Sequence, residues 1–301
     1  MSPSLEETLL GTLPLVPKIN LYHPAVAPET GEDFVKYFRM AAEGKMDPYV
    51  VVLEGSVADE RIADRTGGWF SALGADRVGD KVKPITTSDW LRRLAPNAVA
   101  VLAIGTCATY GGIPAAAGNA TGAMGILDFL GKDFKSKAGL PIVCVPGCAP
   151  IGDNFLETVA YLLLQLQGLA PPIELDEANR PTWLFGRTVH ENCNRAGFYE
   201  EGDFGTEYGT HKCLVKLGCW GPVVKCNVPQ RGYINHIGGC PNVGGICIGC
   251  TMPGFPDKFA PFLTEPAGAT VSIAVSERSG GLIREMRQLT MADKDKEMRW
   301  R

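Results

Sequence analysis

Short apolar runs alternate with amphipathic stretches through the first half of the chain, and this alternation predicts strands and helices in turn. The candidate strands are Lys18–Tyr22, Tyr49–Leu53, Ala98–Ile104 and Pro141–Val145. The candidate helices are Glu32–Glu43, Ser88–Leu94 and Asn154–Leu166, the last rich in Leu spaced to bury one face. That order is the signature of an α/β domain on a parallel sheet, expected over residues 1–178. From Thr182 onward the periodicity fades while Gly, Pro, Asn and Cys accumulate. Residues 179–265 therefore read as a loop-rich domain that apolar burial alone cannot organise. Residues 266–301 turn charged and end in Met298-Arg299-Trp300-Arg301, a pattern expected of a solvated surface arm.

With 301 residues, 45% of them hydrophobic, the chain can bury a substantial core in about two units. A formal charge of −4 leaves no basic footprint for nucleic acid. The longest apolar run, Ala98–Ile104, is far shorter than the roughly 20 residues of a membrane-spanning helix. Met1–Thr12 lacks the basic, apolar and small-residue order of an export signal, so the expected location is cytoplasmic, with membrane association left open.

The ten cysteines change the picture, because nine of them follow Leu140. A disulfide framework suits small secreted domains without a core, which this chain is not, so metal or cluster ligation is the expectation. Three groups separate by spacing. Gly105-Thr106-Cys107 and Pro146-Gly147-Cys148 each follow a predicted strand, so both thiols belong at the C-terminal edge of the sheet, where open α/β folds bind ligands. Cys144 lies inside a strand and reads as a core residue. His190 and Cys193, followed by Cys213 and Cys219, make a complete four-ligand set that either structural zinc or an iron–sulfur cluster could use. Exchanging one thiolate for a neutral imidazole would raise a cluster's potential, which suits an exit site. Cys226, Cys240, Cys247 and Cys250 supply four more thiolates in a glycine-dense stretch. Only one Cys-x-x-Cys pair is present, so a 4Fe-4S cluster is favoured there over a zinc ribbon. His23, His211 and His236 have no ligand spacing and read as surface or packing residues.

These motifs resemble a known family. Gly105-Thr106-Cys107-Ala108-Thr109-Tyr110-Gly111-Gly112, Pro146-Gly147-Cys148, His190-Glu191-Asn192-Cys193, Leu217-Gly218-Cys219-Trp220-Gly221-Pro222 and Cys247-Ile248-Gly249-Cys250 occur in the order found in small subunits of nickel–iron hydrogenases. The resemblance spans nearly the whole chain. It implies a flavodoxin-like domain with the proximal cluster and a C-terminal domain with medial and distal clusters. Cys107 and Cys148 match proximal ligands; His190, Cys193, Cys213 and Cys219 match the distal set; Cys226, Cys247 and Cys250 match the medial set. Many relatives have proline where Cys240 stands and hold a 3Fe-4S cluster, so Cys240 implies a 4Fe-4S medial cluster of lower potential. Cys240 and Pro253-Gly254-Phe255-Pro256-Asp257-Lys258-Phe259 are most similar to the high-affinity, oxygen-insensitive, actinobacterial-type uptake enzymes.

The family also places two further proximal ligands, Cys-x-x-Cys or Cys-x-x-Asp, upstream of a segment resembling Pro3–Leu10, so the expectation is a start assigned too late, the alternatives being an incomplete proximal cluster or none. The implied chemistry is oxidation of dihydrogen at a nickel–iron centre in a large partner subunit. This chain would relay the electrons to a quinone-linked or other acceptor, within a higher oligomer of heterodimers. Two rival readings stand beside this one: a relative of the cluster-bearing quinone oxidoreductase subunit, and a zinc-stapled binding protein.

Overall fold

A computed structural model describes residues 31–291. Contacts divide the chain into two compact units: the first runs to Gly186 and regains Cys250–Lys258, and the second holds Arg187–Gly249 and the chain from Phe259 on.

In the first unit, helix α1 (Glu32–Ala42) precedes strand β1 (Val50–Glu54), short helix α2 (Glu60–Asp64), and the strands β2 (Ala72–Val78) and β3 (Lys81–Thr86). Then come α3 (Thr87–Leu94), β4 (Ala100–Ile104), α4 (Gly105–Tyr110), α5 (Ile126–Leu130), β5 (Val143–Val145), α6 (Gly152–Leu166) and α7 (Thr182–Phe185). Strands β1, β4 and β5 form a parallel sheet in the order β1-β4-β5, with Val50 beside Ala100 and Leu102 beside Val143. Every residue of β4 is buried, as a central strand covered on both faces must be. Its side chains alternate: Val101 and Ala103 join a core with Ile126 and Leu127 of α5, while Ala100, Leu102 and Ile104 pack with Leu162 of α6 and Phe185 of α7. Helix α6 turns Asn154, Thr158 and Leu162 inward at intervals of four, the spacing of one helical face.

The predicted strands and helices between residues 32 and 166 are all present, with ends shifted by up to two residues; Lys18–Tyr22 lies outside the described residues. The antiparallel β2–β3 pair was not predicted. It turns at Gly79-Asp80, and its exposed positions carry Lys81, Val82 and Lys83, so little apolar alternation marks it. Residues 179–186, expected in the second domain, go with the first unit because Leu184 and Phe185 are buried against the sheet. A buried ion pair closes this region. Arg180, 1% exposed, pairs with Asp176 at 2.7 Å and donates from Nη1 to the Thr251 carbonyl at 3.1 Å.

The second unit contains little regular structure before its last helix. Helices α8 (Ala196–Glu200) and α9 (Val228–Arg231) are single turns, and its small core gathers Phe204, Cys213, Val215 and Ile273. The tail expected as an arm instead forms the 23-residue α10 (Ala269–Met291), whose Ile273 is buried in that core while Val271, Val275 and Leu282 stay exposed. Among the described residues no helix is long and apolar enough to cross a membrane.

Removing Arg180 leaves the Asp176 carboxylate buried without its cation. Arg180→Ala is expected to destabilise the first unit by about 3–5 kcal/mol, the cost of breaking a buried pair, read as a lower denaturant midpoint. An unchanged midpoint would show that the pair is dispensable.

Candidate functional site

The two cysteines predicted at the sheet edge emerge there. Cys107 lies in the first turn of α4, directly after β4, and Cys148 follows β5 by three residues. Their loops are bonded to each other, since Thr106 N–H donates to Gly147 O at 3.0 Å and Gly147 N–H donates to Thr106 Oγ1 at 3.0 Å. Gly112 closes over Cys107 with φ +56°, and a Cβ there would stand 2.9 Å from the Cys107 Sγ. The position admits only glycine for two reasons, conformation and space. Burial raises the Cys107 thiol, the neighbouring Cys148 adds to this, and the Ile113 N–H opposes it. Cys148 is exposed. Cys144 is fully buried in β5, as expected of a core residue, and burial pushes its thiol up.

In the second unit, His190, Cys193, Cys213 and Cys219 all line one cavity. Local backbone bonds aim them. His190 N–H donates to Gly221 O at 3.0 Å, and the imidazole meets the Tyr199 ring edge-on at 4.7 Å. Arg195 joins three loops by donating to the carbonyls of Thr210 at 2.6 Å, Lys212 at 2.7 Å and Pro241 at 3.3 Å. Each of the three cavity thiols receives a backbone N–H: Cys193 from Arg195 at 3.3 Å, Cys213 from Val215, and Cys219 from Cys247 at 3.3 Å. Burial dominates their titration, raising Cys193 and Cys219 and pushing Cys213 up to about 11, while these N–H donors act in the opposite sense. A bound positive group would release the thiol protons, and the waiting donors would then stabilise the thiolates. Burial lowers His190, which keeps its imidazole neutral and able to ligate.

This donor set can be tested against the two candidate occupants. A tetrahedral zinc site brings ligand atoms to within about 4 Å of one another, because Zn–S bonds are about 2.3 Å. Among the described residues no three His, Cys, Asp or Glu side chains stand together as ligands of one ion. Four donors lining one cavity match the ligand number of a cuboidal cluster, in which each would bind a separate iron. The buried Asn192 Nδ2, beside Cys193, lacks a protein partner.

Of the remaining group, Cys226 and Cys247 are buried and Cys240 is exposed, all in the second unit; Cys250 belongs to the first. Cys226 N–H is bonded to Arg187 O at 3.2 Å, and Trp220 N–H to Cys247 O at 2.8 Å. His211 packs edge-on to Phe198 at 5.2 Å, and His23 lies outside the described residues. Sequence reasoning missed Thr106, Arg180 and Arg195, whose importance lies in contacts far along the chain.

Two family models match the chain. The NADH ubiquinone oxidoreductase 20 kDa subunit matches residues 6–162, and the C-terminal region of the NiFe/NiFeSe hydrogenase small subunit matches residues 185–263. The periplasmic [NiFeSe] hydrogenase small subunit of Desulfomicrobium baculatum is 33% identical over 264 residues, covering 86% of this chain and 79% of its own. The chain belongs to the nickel–iron hydrogenase small subunits.

The structure of the actinobacterial-type NiFe-hydrogenase from Ralstonia eutropha H16 is similar with a TM-score of 0.89 and 57% identity, covering 99% of this chain and 86% of that one. The hydrogenase-2 small chain of Escherichia coli strain K12 is 31% identical, and the match spans 84% of this chain and 61% of the relative. As a hydrogenase small subunit, the chain is the electron-transfer part of an oxidoreductase acting on dihydrogen, in a family that carries iron–sulfur clusters. The first family model is shared with the quinone oxidoreductase subunits, so the rival reading arises from the first unit; the match at residues 185–263 separates the two.

Gly112→Ala is expected to displace Cys107 and lower the iron bound per chain in the purified protein. Full iron content in this variant would show that the Gly112 approach does not shape the site.

Proposed function

We propose that this chain carries electrons from dihydrogen, oxidised at a nickel–iron centre in a large partner subunit, to a quinone-linked or other acceptor through iron–sulfur clusters. The observation that carries the reading is the single cavity lined by His190, Cys193, Cys213 and Cys219. These four residues would hold the distal 4Fe-4S cluster, the imidazole lowering local negative charge and raising its potential. Cys226, Cys240, Cys247 and Cys250 would hold a medial 4Fe-4S cluster, with Cys240 supplying the fourth thiolate. Cys107 and Cys148 would give two ligands to a proximal cluster. Each cluster supplies a site that can gain or lose one electron.

The chain's own residues set the conditions for that chemistry. With a cluster bound, the backbone donors on Cys193, Cys213 and Cys219 would stabilise thiolate ligands and favour the reduced state. The exposed Cys148 at the sheet edge suits a surface covered by the large subunit. The motif resemblance to high-affinity actinobacterial-type enzymes, beside the similarity to a NiFe-hydrogenase of that type, favours uptake of scarce hydrogen as the direction of work; a higher oligomer of heterodimers is part of the same proposal. The proposed location is cytoplasmic, close to the membrane that carries the acceptor.

The co-purified complex, prepared without oxygen, is expected to contain iron and acid-labile sulfide and to reduce a viologen dye with hydrogen. Cys213→Ser should remove the distal signal from the electron paramagnetic resonance spectrum and cut dye reduction by at least tenfold. A protein holding zinc and no sulfide would overturn the reading, and clusters without hydrogen-dependent reduction would leave a different redox partner.

A further inference from the structure

Helix α10 packs on the stretch of the second unit that carries Cys213. Its Ile273, 3% exposed, shares one core with Phe204, Cys213 and Val215, and Val215 also lines the cavity of the four candidate ligands. The Tyr199 ring lies against that core, meeting Phe204 edge-on at 5.6 Å on one side and the His190 imidazole edge-on at 4.7 Å on the other. Ion pairs tie the helix to the same loops. Glu277 pairs with Lys216, and Arg284 stands 3.6 Å from Asp203, which also pairs with Lys212 at 2.8 Å. The backbone carbonyl of Asp203 accepts the Cys213 N–H at 3.3 Å.

The helix approaches these loops backbone to backbone. A Cβ at Gly280 would collide with the Glu201 peptide, and a Cβ at Gly202, where φ is +63°, would collide with Ser276 O and Glu277. The neighbouring Gly281 would point a Cβ into open space. Glycine weakens a helix interior, and at Gly280 the close contact offsets that loss. Resting on the assignment of the distal ligands above, we propose that α10 is a clamp that positions two of them, Cys213 through the shared core and His190 through Tyr199, and that Gly280 is the residue that admits it. Every contact of the clamp is made between residues of this chain, so both donors are held in place before anything binds. The unit has one small core, and the same core that seats the helix seats the ligands. Gly280, Ile273 and Tyr199 act through His190 and Cys213 and are positioning residues.

Gly280→Ala and Gly281→Ala make the same chemical change one residue apart, and both are tested in the purified complex with the large subunit. Electron paramagnetic resonance during a redox titration follows the line shape, intensity and midpoint potential of the distal signal, with the medial signal as internal reference. Gly280→Ala is expected to lower the distal signal several-fold and to shift its midpoint while the medial signal stays; Gly281→Ala should match the wild type. Lys216→Glu should weaken the distal signal in the same way, and adding Glu277→Lys should restore it. A wild-type distal signal and midpoint in Gly280→Ala overturns the clamp. So does an equal effect of the two alanines, or loss of the medial and distal signals together in Gly280→Ala, which would make the contact one of general folding. A wild-type complex with no distal signal overturns the assignment of His190 and Cys213, and the clamp with it.

Discussion

Strand β4, enclosed on both faces, is the constraint to which the first unit is attached. Burial of five successive residues forces a parallel neighbour on each side and a layer of helices above and below. Parallel strands all end at one edge, so the loops after β4 and β5 leave the sheet side by side and bring Cys107 and Cys148 into one neighbourhood. The chemistry at that edge therefore follows from the packing of residues that never touch it. Thr106 then fixes the loops against each other with one backbone bond and one hydroxyl bond, the second of which a glycine could not supply.

The second unit solves a different problem. It has one small core and scattered single-turn helices, so its order comes from backbone bonds between loops. Arg195 reaches three carbonyls from distant loops, and the guanidinium fork suits that task because its donors are held in one plane. The same loops carry the cavity ligands. Under the proposed assignment, a cluster held there would also hold the fold, its cross-links between loops replacing the apolar layers that the unit lacks.

Much of this was readable beforehand where burial and pattern coincide. The apolar runs at Ala98–Ile104 and Pro141–Val145 marked β4 and β5, and a glycine and cysteine directly after each marked the edge they serve. Cys144 was separable from the ligand candidates because it falls inside a strand. The β2–β3 pair escaped because its charged, exposed positions hide the period-two pattern. Helix α10 escaped because Gly280 and Gly281 interrupt a sequence of mixed polarity; the fold uses Gly280 for close approach to the backbone of Glu201. Arg180 sat at an expected boundary, and nothing local distinguishes a buried arginine from a solvated one. Thr106 was quoted only as part of a cysteine motif, since its partner at residue 250 is unknowable without the fold.

The return of Cys250–Lys258 to the first unit carries a consequence for biogenesis. Arg180 and Thr106 both take their hydrogen-bond partners from residues 250 and 251, so the amino-terminal half stays incomplete until that stretch has left the ribosome tunnel. The hydrogen bonds of the first unit are therefore completed only after most of the polypeptide has been made.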